Sequence, residues 1–170
     1  MSRGFVKESD QEEAPFIPPR ADLPAGAINY VTTRGLEKLH AERDELEEQR
    51  AVCLSQTGDE ARRELTIVKG KLALLEPRIQ SAQVLTPADV SIDEVRFGAT
   101  VTYAMQSGPR AGKLVTVTIV GVDEANVRDR RVSFLSPVAR ALTGKRVGET
   151  TELPLQKATQ TLEVLAIAYK

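Results

Sequence analysis

The sequence contains few of the residues from which catalytic and metal sites are most often built. Among its 170 residues there is one cysteine, Cys53, and one histidine, His40. A single cysteine excludes an internal disulfide and is typical of proteins of the reducing cytoplasm. A single histidine excludes a histidine-based metal cluster. We interpret His40 as a surface residue and Cys53 as a small apolar residue of a helical seam.

Aromatic residues, net charge and long apolar runs are also scarce. Aromatic side chains make up 4% of the chain and tryptophan is absent, which favours one or two small domains over a single large core. The net charge of −1 argues against free-standing nucleic-acid binding driven by bulk electrostatics. No apolar run approaches the roughly 18 residues that a membrane-spanning helix needs, and the acidic N-terminus is unlike a signal peptide. We therefore expect a cytoplasmic protein with no membrane partner.

The first 29 residues differ from the rest in being rich in proline and acidic residues. Proline excludes regular helix and the charges favour solvation, so we predict an extended N-terminal arm over residues 1–29. This composition is typical of a flexible tail. Three apolar side chains, Phe5, Phe16 and Ile17, are nevertheless able to pack onto a folded body, and both interpretations stay open.

Residues 30–84 have the heptad pattern of an antiparallel coiled-coil finger, around which the rest of the chain is organised. Apolar residues recur at spacings of three and four in the second helix, while Arg43 and Arg50 interrupt the seam of the first. The predicted seam consists of Leu36, Leu39, Leu46, Cys53, Leu65, Val68, Leu72, Leu75, Ile79 and Ala82. The tip lies near residues 57–60, where Gly58 suits a turn with an unusual backbone angle.

Two further residues bear on the finger helices. Thr32 or the following threonine is suited to cap the first helix. Pro77 falls inside the second helix, where its ring clashes with the preceding turn and removes a backbone hydrogen bond. Because the apolar spacing continues through Pro77, we predict a kink there and not a restart of the helix.

A predicted linker over residues 85–96 is followed by the short alternating strands of a β domain over residues 97–170. Residues 108–113 predict a turn between two strands. They superficially resemble a phosphate-binding loop, but the spacing from the first glycine to the lysine is one residue too short. Ser136 and Pro137 are suited to begin a short helix. We predict an α+β fold, with an N-terminal antiparallel two-helix coiled coil and a C-terminal antiparallel β domain that carries one short helix.

Four segments carry recognisable motifs. They are residues 31–39 at the start of the finger, Gly58-Asp59 at its tip, residues 119–124, and the fourteen-residue segment 136–149. Together they closely resemble the pattern of the Gre (GreA/GreB) family of bacterial transcript-cleavage factors. The resemblance spans about residues 30–170, and the N-terminal arm lies outside it.

The resemblance implies an FKBP-like C-terminal domain that docks on bacterial RNA polymerase at the mouth of the secondary channel, with the coiled coil inside the channel. The docking residues would be Leu135, Ser136, Pro137, Arg140, Lys145 and Arg146. In this family the polymerase's own centre cleaves backtracked RNA, so the chain would be an accessory factor, a monomer that meets the RNA only indirectly, and not an enzyme. The tip acid, here Asp59, would help to hold a Mg²⁺ shared with the polymerase, the only cofactor implied.

The tip departs from the family pattern. Cleavage-competent members carry a glutamate three residues after the tip aspartate, and Arg62 occupies that position here. Glu60 and Glu64 lie at other angles around the helix and do not replace it. Each helix is also about one heptad shorter, which withdraws the tip by about 10 Å. We therefore predict a secondary-channel regulator of elongation and favour cleavage-independent action, including competition with cleavage factors, over stimulation of cleavage.

Other interpretations stay open beside this one. Leu135 stands where the family usually has a polar residue, which bears on docking affinity. A short finger is also a feature of relatives of the nucleoside-diphosphate-kinase-regulator type, which share the polymerase partner. An FKBP-like domain could instead act as a prolyl isomerase or chaperone, for which few aromatic residues are available, namely Phe97, Tyr103, Phe134 and Tyr169. The basic residues Arg128, Arg130, Arg131, Lys145 and Arg146 would form either a positive patch beside the short helix or a solvated face.

Overall fold

The computed structural model describes residues 13–89 and 91–170. In chain order the elements are β1 (Asn29–Val31), α1 (Thr33–Ser55), α2 (Asp59–Ser81), β2 (Ala82–Val84), β3 (Ala99–Met105), β4 (Leu114–Val120), β5 (Arg131–Ser133), α3 (Pro137–Leu142), β6 (Thr150–Pro154) and β7 (Thr159–Tyr169). Short 3₁₀ turns lie at Pro87–Asp89 and Val122–Glu124. No helix in the described part of the chain is both long enough and apolar enough to span a membrane.

The finger is a hairpin of two packed helices, α1 and α2, each of 23 residues, or about 35 Å at 1.5 Å per residue. Thr32 caps α1, as predicted, because its Oγ1 accepts a hydrogen bond of 2.9 Å from the Gly35 N–H. The turn between the helices uses Gly58 at φ +113°, a conformation that other residues rarely adopt. These local signals were all visible in the sequence.

The predicted seam is confirmed except at Leu65, which is half-buried and lies outside the finger core. The finger core contains Val31, Leu39, Leu46, Val68, Leu72 and Leu75, with Leu36, Ile79 and Ala82 packed against it. Cys53 is buried near the tip, where Ala61 of α2 is buried as well. Of the two arginines on the seam, Arg43 is partly covered while Arg50 is exposed. Both residues are tolerated on the seam because their aliphatic stems can cover it while the guanidinium groups reach solvent.

Pro77 does not divide the second helix. The α2 helix continues through Pro77 to Ser81, which excludes a restart at this residue. Two side chains satisfy nearby carbonyl groups: the Ser81 hydroxyl donates to the Pro77 carbonyl at 2.7 Å, and the Asn29 amide donates to the Arg78 carbonyl at 2.9 Å. The base of the finger is closed by a parallel pairing of β1 with β2, which the sequence analysis did not predict.

The C-terminal domain is a five-stranded sheet with the order β5-β4-β3-β7-β6. The predicted α+β class is confirmed, but the sheet is mixed, because β4 and β5 run parallel while the other pairs are antiparallel. One face packs with α3 around a core of Val95, Ala99, Val101, Tyr103, Val117, Ile119, Ala139, Leu142, Leu162 and Val164. The predicted turn at residues 108–113 connects β3 and β4, with Gly108 and Gly112 at positive φ.

Of the predicted arm, residues 1–12 lie outside the described part of the chain and Asn29 begins β1. Residues 13–28 contain neither helix nor strand. They are not a free tail, however. Ile17 lies against α2 and Arg20 contacts both α1 and the C-terminal domain. Phe16 is exposed, and Phe5 lies outside the described residues.

Candidate functional site

The tip of the finger presents an aspartate that is already paired with an arginine. Asp59 is the first residue of α2 and Arg62 follows one turn later, so that both side chains lie on the same side of the helix. Their carboxylate and guanidinium groups are 3.4 Å apart, and the side chains are 75% and 81% exposed. Such an exposed pair contributes little to stability, but it places a positive charge beside the one acid that matches the family pattern.

The other charged residues of the tip do not complete a metal site. Glu60, Arg63 and Glu64 line an open hollow of α2 together with Asp59 and Ile67. Within residues 13–89 and 91–170, no group of three or more carboxylate, histidine or cysteine side chains is arranged to hold a metal ion. Guanidinium groups at the tip also repel a cation. The tip therefore offers no complete Mg²⁺ ligand set of its own within the described residues, and the role of Asp59 toward an ion shared with a polymerase stays a prediction.

The last turns of α1 add an apolar feature that the sequence analysis missed. Val52 and Leu54 flank the buried Cys53 and are 54% and 62% exposed. Only Cys53 falls on the heptad seam, and its two neighbours lie off it. The signal was available in the sequence as two large apolar residues at non-seam positions beside the tip.

The residues predicted to dock on a partner lie in α3 and on either side of it. The Ser136 hydroxyl caps this helix, accepting from the Ala139 N–H at 3.3 Å, and Pro137 occupies its first turn, as predicted. Ala139 and Leu142 are fully buried in the domain core. Because these residues anchor one side of α3, its other side is presented to solvent. Among the predicted docking residues, Pro137, Arg140 and Arg146 are exposed, while Leu135, Ser136 and Lys145 are half-buried.

The basic run before α3 does not act as one patch. Arg128 and Arg130 are exposed in the connection between β4 and β5, with Arg130 at φ +55°. Arg131 instead turns inward, where its side chain is 16% exposed and lies 3.8 Å from the Glu124 carboxylate. This run therefore divides between the surface and the contact between finger and domain.

The finger and the C-terminal domain meet at a joint built around Glu124. This side chain is buried and accepts hydrogen bonds from the Thr32 hydroxyl at 2.6 Å and the Thr32 N–H at 3.1 Å. The same threonine caps α1. One carboxylate of the domain therefore fixes the residue at which the first finger helix begins.

Three aromatic rings complete the joint. Tyr30 of the finger packs against Phe97 and Phe134 of the domain, with ring centroids 5.7–5.9 Å apart. Tyr103 lies in the domain core and is 5% exposed, and its burial raises the pKa of its hydroxyl. Tyr169 also packs against the domain core, so all four aromatic residues considered for an isomerase pocket are used in the joint or the core.

Known proteins similar to this chain are transcription factors. Residues 89–169 match the family described as "Transcription elongation factor, GreA/GreB, C-term". Transcription elongation factor GreA of Rickettsia felis is 33% identical over 155 residues, which cover 82% of this chain and 94% of that protein. GreA of Acidiphilium cryptum is 37% identical over 109 residues, with coverage of 64% and 68%. The crystal structure of GreA factor homolog 1 (Gfh1) of Thermus thermophilus has 26% sequence identity, covers 82% of this chain and 97% of that one, and superposes with a TM-score of 0.37.

Proposed function

This chain belongs to the GreA/GreB family of transcription elongation factors, and on that premise we propose that it binds bacterial RNA polymerase and regulates elongation without stimulating transcript cleavage. It is an accessory factor and not an enzyme. In this proposal it acts as a cytoplasmic monomer, its C-terminal domain docks at the secondary channel, and its finger enters the channel. The similar proteins favour this role over that of a prolyl isomerase or chaperone.

The ion pair at the tip carries the proposal that cleavage is not stimulated. Arg62 stands one helical turn from Asp59 and 3.4 Å from its carboxylate. A carboxylate that already faces a guanidinium is a poor additional ligand for a loosely held Mg²⁺, which binds few protein oxygens and demands close to ideal geometry. The short finger acts in the same direction, since a tip withdrawn by about 10 Å does not reach an ion that needs ligands at about 2 Å. The finger would then occupy the channel and exclude a cleavage factor.

The experiment uses stalled, backtracked polymerase complexes with labelled RNA. We expect the wild type to leave the RNA intact and to inhibit an authentic cleavage factor in a concentration-dependent manner. The variant Arg62→Glu restores the second acid, and Arg63→Glu makes the same charge change at the next position. A finger lengthened by seven residues in each helix restores reach while keeping the seam in register. We expect RNA shortening only when Arg62→Glu is combined with the longer finger.

Two outcomes would contradict this proposal. Strong RNA shortening by the wild type that is abolished by Asp59→Ala would show that the single acid is sufficient. Shortening by Arg63→Glu in the long finger equal to that of Arg62→Glu would show that added negative charge matters and not its position.

Docking is tested separately on the exposed side of α3. Arg140→Glu reverses one charge of this surface, whereas Arg110→Glu makes the same change in the exposed turn between β3 and β4. We expect Arg140→Glu to weaken inhibition of the cleavage factor by about tenfold, which corresponds to about 1.4 kcal/mol of binding free energy, and Arg110→Glu to leave it unchanged. Equal inhibition by both variants would place the docking surface elsewhere.

A further inference from the structure

The N-terminal segment 13–28, which we call the strap, crosses both parts of the molecule. Its first anchor is Ile17, which fits against Gly70 in the middle of α2. A Cβ at Gly70 would overlap the Cδ1 of Ile17. Glycine inside a helix is unfavourable by about 1 kcal/mol relative to alanine. The close approach of Ile17 supplies a reason for glycine at this position.

The second anchor is Arg20, which bridges the finger and the domain. Its guanidinium donates two hydrogen bonds to the Glu42 carboxylate of α1, at 2.7 and 3.1 Å, and one to the Asp123 carboxylate of the domain at 2.9 Å. Burial lowers the pKa of Arg20, but the hydrogen bond to Glu42 and the charges of Asp123 and Glu42 outweigh it and raise the pKa above its usual value. The Arg20 guanidinium is therefore charged at all physiological pH values.

Asp123 also forms an ion pair with an arginine of the second finger helix, Arg78. Its other oxygen lies 3.3 Å from the Arg78 guanidinium, which in turn donates to the Ala21 carbonyl of the strap. The side chains of Asp123, Arg78 and Arg20 are 6%, 14% and 16% exposed. One partly buried network thus links α1, α2, the domain and the strap, in a region where ion pairs are screened much less by salt than at the surface.

We propose that the strap locks the finger at one angle to the C-terminal domain and thereby positions it for the partner's channel. Without the strap, the two parts remain joined by the Glu124 joint with the Tyr30 ring contacts and by the ion pair of Arg78 with Asp123, all near the finger base. The strap contacts the finger farther out, at Glu42 and Gly70, and so restrains its swing about that base. The consequence for polymerase binding rests on the proposed function, whereas the lock itself does not.

The lock is tested by distances between spin labels in the full chain, without polymerase. One label is placed at the tip by Thr57→Cys and one in the domain by Lys157→Cys, both exposed positions, after Cys53→Ala removes the native thiol. Arg20→Ala and Ile17→Ala each remove one anchor. Their matched controls are Arg50→Ala, an exposed arginine that pairs with Glu47 at 3.2 Å within α1, and Phe16→Ala, whose side chain is 77% exposed.

We expect one narrow distance distribution for the wild type and both controls, and broader distributions for both anchor variants. Circular dichroism should show the same helix content in all of them, since neither anchor belongs to the finger seam. Unchanged distributions in Arg20→Ala and Ile17→Ala would overturn the lock, as would equal broadening in the controls.

The consequence is measured as competition with a cleavage factor on polymerase. If a tenth of the unlocked molecules hold the finger at the required angle, the apparent affinity falls about tenfold. Broader distances with unchanged competition would overturn the positioning role. A wild type that does not bind polymerase at all would instead contradict the proposed function, and the distance result would still decide the lock.

Discussion

The finger tip and the contact of strap and domain each contain an aspartate paired with an arginine, and the two pairs lie in opposite environments. At the tip, Asp59 and Arg62 are 75% and 81% exposed and 3.4 Å apart. Between domain and strap, Asp123 and Arg20 are 6% and 16% exposed and 2.9 Å apart. Water screens the first pair, so it contributes little to stability. The second pair is largely shielded from solvent and depends on its hydrogen-bond partners. The same two side-chain types therefore present charge to solvent at the tip and fix the geometry between strap and domain.

The largest effect on stability is expected at Glu124, the buried centre of the joint. Glu124→Ala leaves the Thr32 N–H and hydroxyl without their acceptor and removes the charge opposite Arg131. We expect the free energy of unfolding to fall by about 3 kcal/mol, measured by urea denaturation. Glu152→Ala on the exposed side of β6 is the control and should change it by less than about 0.5 kcal/mol. Equal effects would mean that the joint contributes nothing beyond an ordinary surface contact.

The two aspartates make the comparison direct. Asp123→Ala leaves the partly buried guanidinium groups of Arg20 and Arg78 without their shared partner, and should lower the free energy of unfolding by about 2 kcal/mol. Asp59→Ala removes the same side chain from the exposed tip and should change it by less than about 0.5 kcal/mol. Thermal or urea unfolding of the two variants measures both values. Similar losses of stability in the two variants would show that burial does not determine how much each aspartate contributes.

The smallest expected effect is at Gly70, where the effect of Gly70→Ala on the free energy of unfolding should change sign between two backgrounds. In the wild type, Gly70→Ala forces the new methyl group against Ile17 and should lower the free energy of unfolding by about 1 kcal/mol. In an Ile17→Ala background the clash is absent, and Gly70→Ala should raise stability by about 0.5–1 kcal/mol because alanine is the better helix former. The double-mutant cycle isolates the contact of strap and finger. Stabilisation by Gly70→Ala in both backgrounds would contradict the docked position of the strap.

The finger could be predicted closely from the sequence because its signals are local. Heptad spacing, the Thr32 cap and Gly58 at the turn depend on residues a few positions apart, so a single sequence displays them. The same holds for Ser136 and Pro137 at the start of α3. The positions of the tip residues follow from this local structure, while their role toward a polymerase stays a prediction.

The contacts that join the parts of the molecule were decided only by the tertiary structure. Arg20 and Asp123 are 103 residues apart in the chain, and such a pair leaves no periodic trace in the sequence. For the same reason the sequence displays no signal for the parallel pairing of β1 with β2 or of β4 with β5. The sequence by itself determined a charged, two-helix finger and a β domain, because helices and strands follow local periodicity. Only the tertiary structure determined how the finger is fixed to the domain. The reason is that this depends on which charged residues, distant in the sequence, are buried together.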